Sequence, residues 1–222
     1  MGKMIELTAG DGHKLGAYRG EPKGKPRGGL IVVQEIFGVN SHIRSVADGY
    51  AADGYLVIAP AFFDRVERGL DIGYASADVE RGRTFPPKLQ WDKTILDAGA
   101  ALANVKSAGK TGIVGYCWGG TVSWMSASRL SGLSAAVSYY GGGIVANSGE
   151  KPKCPVMCHW GEQDQGIPID GVRKFAGDHP EVASFTYPAG HAFNRDVGAS
   201  YHAESAKTAR TRTLEFLRKH VG

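Results

Sequence analysis

The chain has 222 residues, of which 42% are hydrophobic and 22% charged, an ordinary composition for a globular protein. Its formal net charge of +4 comes without any run of basic residues, which argues against nucleic acid and membrane surfaces as partners. No apolar stretch reaches the ~18 residues of a membrane span, and the N-terminal residues lack the apolar run of a secretory signal. Three cysteines argue against a disulfide framework and favour the reducing cytoplasm.

Short apolar runs alternate with helical patterns along the first part of the chain. Residues 5–18 predict a β-hairpin. Residues 28–37 are almost continuously apolar, which is typical of a buried parallel strand. A helix is predicted over residues 40–55, with Asn40 or Ser41 as its N-cap.

The remaining segments continue the alternation. Residues 55–63 predict another buried strand, and the polar segment 64–87 is expected to be irregular, covering a sheet edge or closing over a site. From Trp91 to Val105, apolar residues fall at helical spacing. Further strands are predicted at 111–116, 133–140, 154–161 and 181–188, and a closing amphipathic helix is predicted at 200–222.

Strands that alternate with helices in this way predict an α/β fold with a mostly parallel central sheet and helices on both faces. The chain has no internal repeat, low-complexity tract or long linker. We therefore expect one domain over residues 1–222. The oligomeric state stays open, and a monomer is compatible with the sequence.

A glycine-rich turn at Gly115-Tyr116-Cys117-Trp118-Gly119 follows one of the apolar runs and precedes a helical pattern. A strand, Gly-x-nucleophile-x-Gly and a helix form the nucleophile elbow of many hydrolases, where glycines let strand and helix pass closely. The positive end of the following helix favours a thiolate at Cys117. The alternative is a buried structural cysteine beside a strand–helix turn.

An aspartate and a histidine further along the chain complete the pattern of a catalytic triad. Asp164 follows a predicted strand and His191 follows the next, in the chain order acid then histidine that this fold class uses. Loops at the carboxyl ends of parallel strands are where such sites gather. Glu162, two residues before Asp164, is the closest rival for the acid.

Other candidate residues are interpreted as structural. His159 lies in an apolar strand, where most histidines are satisfied core residues. Cys154 and Cys158 lie within a predicted strand, and no second cysteine pair completes a zinc site. We therefore expect these three side chains to belong to the core, and no metal ion to be bound.

The chain resembles the dienelactone hydrolase family (carboxymethylenebutenolidases) of the α/β-hydrolase fold. The resemblance extends over nearly the whole chain, and the cysteine elbow combined with "QEIFG" is more specific than either motif alone. The matching segments are "QEIFGVN" at 34–40, "GYCWGG" at 115–120, "YYG" at 139–141, "GEQD" at 161–164 and "AGHAFNR" at 189–195.

The resemblance implies a triad of Cys117, His191 and Asp164, with Glu35 as a functional carboxylate near the thiol. Glu35 is already unusual from the sequence, because a charge at the end of a strongly apolar strand is costly to bury unless it has a partner or a role. A solvent-facing edge position is the alternative. The resemblance also implies an oxyanion hole formed by the N–H groups of Ile36 and Trp118. It implies no cofactor.

Substrate-binding residues follow from the resemblance as well. It implies that Arg195 binds a free carboxylate of the substrate, for which a planar guanidinium is suited. A second arginine is expected from the irregular segment, with Arg81 preferred over Arg83. Tyr139 or Tyr140 is expected to line the same pocket.

The expected activity is the opening of a small activated lactone through a cysteine thioester. A second hypothesis is another ester or thioester hydrolase on the same fold, since one fold accepts many substrates. A third is a binding protein without catalysis, whose Cys117 is a redox-reactive thiol. A complete triad argues against the third hypothesis.

Overall fold

One eight-stranded sheet forms the centre of the computed structural model, which describes residues 2–222. Its order is β1-β2-β4-β3-β5-β6-β7-β8. The hairpin β1–β2 and the pair β2–β4 are antiparallel, and all other neighbouring pairs are parallel. The strands are β1 (Lys3–Thr8), β2 (Lys14–Gly20), β3 (Gly29–Val33), β4 (Leu56–Pro60), β5 (Thr111–Tyr116), β6 (Leu133–Tyr139), β7 (Val156–Gly161) and β8 (Ala183–Tyr187).

Six α-helices cover the two faces of this sheet in the described part of the chain. They are α1 (Ser41–Ala52), α2 (Ser76–Arg83), α3 (Trp91–Val105), α4 (Trp118–Arg129), α5 (Ile169–Asp178) and α6 (Ala203–His220). Contacts between aromatic residues show where two of these helices pack. The hydroxyl groups of Tyr116 in β5 and Tyr50 in α1 are hydrogen-bonded, whereas Trp160 of β7 packs on Phe175 of α5. The predicted α/β fold, with helices on both faces of a mostly parallel sheet, is confirmed.

The central strands are buried along their whole length, as their continuous apolar sequences predict. Every residue of β3, β4, β5 and β7 is buried. Parallel strands with helices on both faces need side chains of this kind in both directions. Asn40 is the N-cap of α1, where its side chain accepts a hydrogen bond from Ile43 N at 3.2 Å.

The polar segment 64–87 is more regular than its sequence predicts, because it contains α2. This helix has little apolar periodicity, and its one buried residue is Gly82. A Cβ at Gly82 would lie 2.7 Å from the carbonyl oxygen of Ile36, so the helix packs closely on the loop after β3. Contact through backbone rather than through apolar side chains explains why no hydrophobic pattern indicates this helix.

Two other boundaries differ from the predicted ones. β7 begins at Val156, so Cys154 precedes the strand and is half-buried, while Cys158 is buried within it. β6 ends at Tyr139, because Tyr140 has a φ of +40° that a regular strand cannot continue. Of the residues described, no helix is both long and apolar enough to cross a membrane.

His159 is a satisfied core residue, as expected. Its ring lies 2.8 Å from the Tyr187 hydroxyl at Nδ1 and 3.0 Å from Thr213 Oγ1 at Nε2. Burial, aided by the charge of Arg212, lowers the pKa of His159 to about 3. The imidazole is therefore neutral in the folded protein and protonates in the unfolded chain below about pH 6.5.

We expect the free energy of unfolding to decrease as the pH falls from about 6.5 towards 3. Over this range His159 binds a proton in the unfolded state but not in the folded state. In His159→Gln this slope should be shallower, although the variant should be less stable at pH 7. Urea unfolding at several pH values measures the slope. His202→Gln, at the start of α6, is the control. Equal slopes in wild type and His159→Gln would contradict the expectation.

Candidate active site

Cys117 lies on a strained turn between β5 and α4. Its φ of 56° and ψ of −119° are rare for a residue with a side chain. A Cβ at Gly115 would come within 1.9 Å of the Gly119 carbonyl oxygen, and one at Gly119 within 2.5 Å of the Gln34 carbonyl oxygen. Only glycine fits either position, so the turn can lift the Cys117 side chain above the sheet edge.

Asp164 and His191 come together from the loops after β7 and β8. Asp164 Oδ2 lies 2.6 Å from His191 Nδ1, and Asp164 Oδ1 accepts a hydrogen bond from Gly166 N at 2.8 Å. Asp164 is buried. Burial acts to lower the pKa of His191, but the hydrogen bond to Asp164 and the neighbouring Cys117 outweigh it and raise that pKa to about 10. The imidazole therefore stands between the thiol and the carboxylate.

A cavity of about 470 Å³ opens onto Cys117 and His191. Its other walls are mostly apolar and come from the segment before α3, from the first turns of α3 and α4, and from the segment after β6. They include Pro86, Pro87, Leu89, Trp91 and Trp118. The nucleophile candidate thus faces a space where an apolar group can be bound and water excluded.

A second cavity, of about 590 Å³, lies on the other side of His191. Its lining is more polar and includes Asp164, Arg83, Tyr201 and His202. Because His191 lines both cavities, the imidazole lies where the two spaces meet.

Glu35 is buried just beyond the end of β3, with 1% of its surface exposed. Burial raises the pKa of this carboxyl, and the charges of Arg195, His42 and His191 oppose that rise. Arg195 Nη1 lies 3.8 Å from Glu35 Oε2, an ion pair too long for a hydrogen bond. The buried position excludes the alternative of a solvent-facing edge residue.

Arg195 is held in place from several sides. Its guanidinium lies over the ring of Tyr74 at 4.2 Å and near that of Phe37 at 5.7 Å. Arg195 Nε donates a hydrogen bond to the Val197 carbonyl oxygen at 2.9 Å. Arg195 lines neither cavity beside His191, so in this structure its charge is directed at Glu35.

The backbone N–H groups of Ile36 and Trp118 lie at the ends of adjacent strands. β3 and β5 pair in register through Val33 and Gly115, so the residues that follow each strand meet at the same sheet edge. Within residues 2–222, neither N–H donates a hydrogen bond. Two free N–H groups beside a nucleophile are the donors that an oxyanion requires.

The arginines and tyrosines expected at the substrate site divide into two groups. Arg81 lies at the surface, where its Nη2 donates to Glu67 Oε1 at 2.6 Å, whereas Arg83 lines the larger cavity. The structure thus brings Arg83, and not the preferred Arg81, to the site. Tyr139 points to the opposite face of the sheet and bonds Thr213 Oγ1 at 2.7 Å. Tyr140 packs on His191, with ring centres 5.0 Å apart.

Glu162, the rival acid, faces away from His191. Its side chain is exposed and accepts a hydrogen bond from Thr186 Oγ1 at 2.7 Å. Two residues near the site were not expected from the sequence, namely His42 and Tyr74. His42 lies on the buried face of α1 next to Ile43, a position that periodicity assigns to the core. No local pattern identifies Tyr74, which lies in an irregular loop.

No group of three or more His, Cys, Asp or Glu side chains among the described residues is arranged to hold a metal ion. Cys117, His191 and Asp164 lie together at the carboxyl ends of β5, β7 and β8. A thiol, an imidazole and a carboxylate in this order are the parts of a nucleophilic triad.

Known proteins resemble the chain over its full length. Residues 15–221 match the model of the dienelactone hydrolase family. A carboxymethylenebutenolidase of Pseudomonas putida is 32% identical, over 96% of this chain and 94% of its own. A protein of Azospirillum brasilense assigned the same activity is 34% identical, over 98% and 99%.

Solved structures agree with the sequence comparison. A Klebsiella pneumoniae protein assigned as a dienelactone hydrolase has a TM-score of 0.83 at 29% identity, covering 99% of this chain and 100% of its own. An esterase of Pyrococcus furiosus has a TM-score of 0.73 at 17% identity, covering 100% and 92%, and supports the fold alone. The chain therefore belongs to the dienelactone hydrolase family of the α/β-hydrolase fold, and it is a carboxylic ester hydrolase.

Proposed function

We propose that this protein opens a small activated lactone of the dienelactone type through a thioester on Cys117, with His191 and Asp164 completing the triad. One observation carries the proposal. His191 bonds Asp164 at 2.6 Å, and it faces the same cavity as the Cys117 thiol. Asp164 orients the imidazole, and His191 moves protons between the hydrolytic water and the leaving group.

The first step forms the thioester. Cys117 Sγ attacks the lactone carbonyl carbon, and the carbonyl π electrons move to oxygen. The N–H groups of Ile36 and Trp118 are suited to bind that oxyanion, a contribution typically worth about 3 kcal/mol of barrier. When the carbonyl re-forms, the ring C–O bond breaks and the ring oxygen leaves as an enolate, which takes a proton from the His191 imidazolium. The neutral imidazole then removes a proton from water, and the hydroxide attacks the thioester carbonyl. The C–S bond breaks, and the Cys117 thiolate recovers its proton from Glu35.

Glu35 is proposed as the group that takes the thiol proton when substrate is bound. Arg195 holds the affinity of Glu35 for a proton down in the free enzyme. A substrate carboxylate would pair with Arg195 only after the guanidinium turned from Glu35 towards the cavities, and Glu35 would then become a stronger base. The thiol would thus be activated only in the presence of a carboxylate-bearing substrate.

The choice of cysteine follows from the leaving groups. A thiolate leaves a tetrahedral intermediate easily, so the adduct reverts unless the other leaving group departs at least as well. A lactone ring oxygen that leaves as an enolate meets this requirement, and an alkoxide does not. The proposed substrate is therefore an activated lactone rather than an alkyl ester.

Another ester or thioester hydrolase is the second candidate, favoured by the apolar walls of the smaller cavity, which suit an aryl or alkyl group. A panel of a dienelactone, a neutral lactone, an aryl acetate and an acyl thioester separates the two functions. We expect the highest kcat/KM with the dienelactone and loss of turnover after thiol alkylation. Faster turnover of the thioester or aryl ester would favour the second candidate.

A redox-reactive thiol without catalysis is the third candidate. It would show peroxide oxidation of Cys117 and no turnover of any substrate in the panel. The pairing of Asp164 with His191 disfavours it, because a thiol sensor has no need of that pair.

Arg83 and Arg81 form a matched pair for testing recognition of the substrate carboxylate. Arg83 lines the cavity beside His191, whereas Arg81 pairs with Glu67 at the surface. We expect Arg83→Ala to raise KM for a carboxylate-bearing lactone about tenfold or more, because a charge-assisted pair is lost. Arg81→Ala should change it less than twofold. Initial-rate kinetics measure both, and a neutral aryl ester serves as the substrate control. An equal effect of Arg83→Ala on both substrates would contradict carboxylate recognition.

We further propose that residues 1–222 act as a single catalytic domain, since strands from both ends of the chain join one sheet around the site. The partner is a small-molecule lactone or ester rather than a nucleic acid. The three cysteines are free thiols, which favours the cytoplasm.

A further inference from the structure

A second histidine–aspartate pair lies next to Glu35, outside the cluster of Cys117, His191 and Asp164. His42, in the first turn of α1, has its Nδ1 atom 3.0 Å from Asp196 Oδ1. The His42 side chain is 4% exposed, whereas that of Asp196 is 67% exposed. The imidazole therefore extends from the protein interior to a carboxylate at the surface.

Several buried polar atoms in this region lack a hydrogen-bond partner within residues 2–222. Besides Tyr140 Oη and Arg210 Nη1, they include Glu35 Oε2 and His42 Nε2. Native proteins leave few buried polar atoms unpaired, and those they leave need an explanation, such as a bridging water or a role in proton transfer. A carboxylate oxygen and an imidazole nitrogen are complementary, because a proton can be held by either.

The loop after β8 places these two side chains in one region. Arg195 reaches Glu35 at 3.8 Å, and its immediate neighbour Asp196 reaches His42 at 3.0 Å. Glu35 and His42 therefore face adjacent residues of the same loop. Burial raises the pKa of Glu35, and after Arg195 the strongest opposing charge is that of His42.

We propose that His42 is a positioning residue that keeps Glu35 ionised by accepting its proton. The O–H bond of the Glu35 carboxyl breaks, its electron pair stays on the carboxylate, and an N–H bond forms at His42 Nε2 by relay through one bridging water. The imidazolium then donates its Nδ1–H to the Asp196 carboxylate. This inference rests on the proposed role of Glu35 as the base for the thiol, because only an ionised Glu35 can accept that proton.

Other charged and titratable groups surround the pair, and none replaces His42. Those facing Glu35 or His42 are Arg195, His191, Tyr74, Tyr140, Lys207 and Arg210. Arg195 already pairs with Glu35 and stays protonated. Lys207 and Arg210 of α6 line a cavity of about 320 Å³ with His42. Arg210 pairs with Asp53, so Lys207 is the cation that opposes an imidazolium there. Asp196 is the one carboxylate lining that cavity, and it bonds His42 directly.

Infrared difference titration tests the inference without using activity. The carboxylic-acid C=O band of Glu35 is assigned by its loss in Glu35→Gln, and its midpoint is followed in wild type, His42→Gln and Asp196→Asn. We expect the midpoint to rise by at least about one pH unit in His42→Gln, a tenfold change in proton affinity. Asp196→Asn should move it in the same direction by less. Ser45→Ala, which lines the same cavity, should leave it unchanged.

The pH dependence of kcat/KM for the carboxylate-bearing lactone gives the second measurement. Its acidic limb should move upward with the infrared midpoint in His42→Gln, so kcat/KM at pH 6 falls about tenfold. An unchanged midpoint in folded His42→Gln would overturn the inference, and His42 would then only fasten the loop. If His42→Gln does not fold, the surface variant Asp196→Asn decides by the same criterion. Failure of the proposed function would appear as Cys117-independent turnover, which leaves the infrared result intact.

Discussion

Cys117→Ala should lose hydrolase activity by about 10³-fold or more, since no other thiol in the described chain can form the acyl intermediate. Cys154 is half-buried before β7 and Cys158 is buried within it. Burial raises the pKa of Cys154 to about 11 and that of Cys158 further still, so both stay protonated and unreactive at neutral pH.

The controls for this prediction are Cys154→Ala and Cys158→Ala. Each should keep full activity and lose about 1–2 kcal/mol of stability through lost packing. Turnover of a dienelactone, mass spectrometry after incubation with substrate, and thermal unfolding measure the three consequences. A thioester adduct should appear on Cys117 alone. Undiminished turnover in folded Cys117→Ala would contradict the covalent mechanism.

Asp164→Asn should lower kcat by about 10³–10⁴-fold while the protein stays folded. Asparagine keeps the shape of aspartate but removes the charge that stabilises the imidazolium. Its NH₂ group can also donate a hydrogen bond to His191 Nδ1, which favours the wrong tautomer of the imidazole. The buried Asp164 carboxylate bonds His191 Nδ1 at 2.6 Å and also accepts from Gly166 N. The effect should lie in kcat more than in KM, because the pair acts on the chemical steps.

Glu162→Gln is the matched control for Asp164→Asn, two residues away on the same loop. Glu162 is exposed and bonded to Thr186, so its charge is far less important for His191. We expect less than a threefold change in kcat. A larger loss of kcat in Glu162→Gln than in Asp164→Asn would show that Glu162, and not Asp164, is the acid of the triad. Circular dichroism of both variants excludes unfolding as the cause.

The buried strands and the elbow could be predicted because their physical causes are local. Buried parallel strands need continuous apolar runs, and the turn at Cys117 needs glycine at Gly115 and Gly119, where any side chain would collide with a carbonyl oxygen. Such requirements leave a visible trace in the sequence. The α/β fold was predictable for the same reason.

The parts that could not be predicted depend on contacts between distant segments. α2 packs through Gly82 on the Ile36 carbonyl, which leaves no apolar pattern. The choice between Arg81 and Arg83 depends on which guanidinium faces His191, and neighbouring charges in a short helix carry no such information. His42 appears as an ordinary core position until Asp196, 154 residues later, is found beside it.

The groups that react and some of the residues that line the two cavities beside His191 come from different parts of the chain. The reacting groups follow strands β3, β5, β7 and β8, whose register is fixed by backbone pairing. In contrast, Arg83, Pro86, Pro87 and Leu89 all belong to the connection between β4 and α3. Evolution can thus rebuild that connection and change which acyl compounds fit, while the nucleophile and its proton carriers keep their positions. Grafting this connection between relatives is accordingly the natural route to engineering new substrate ranges on one unchanged reaction centre.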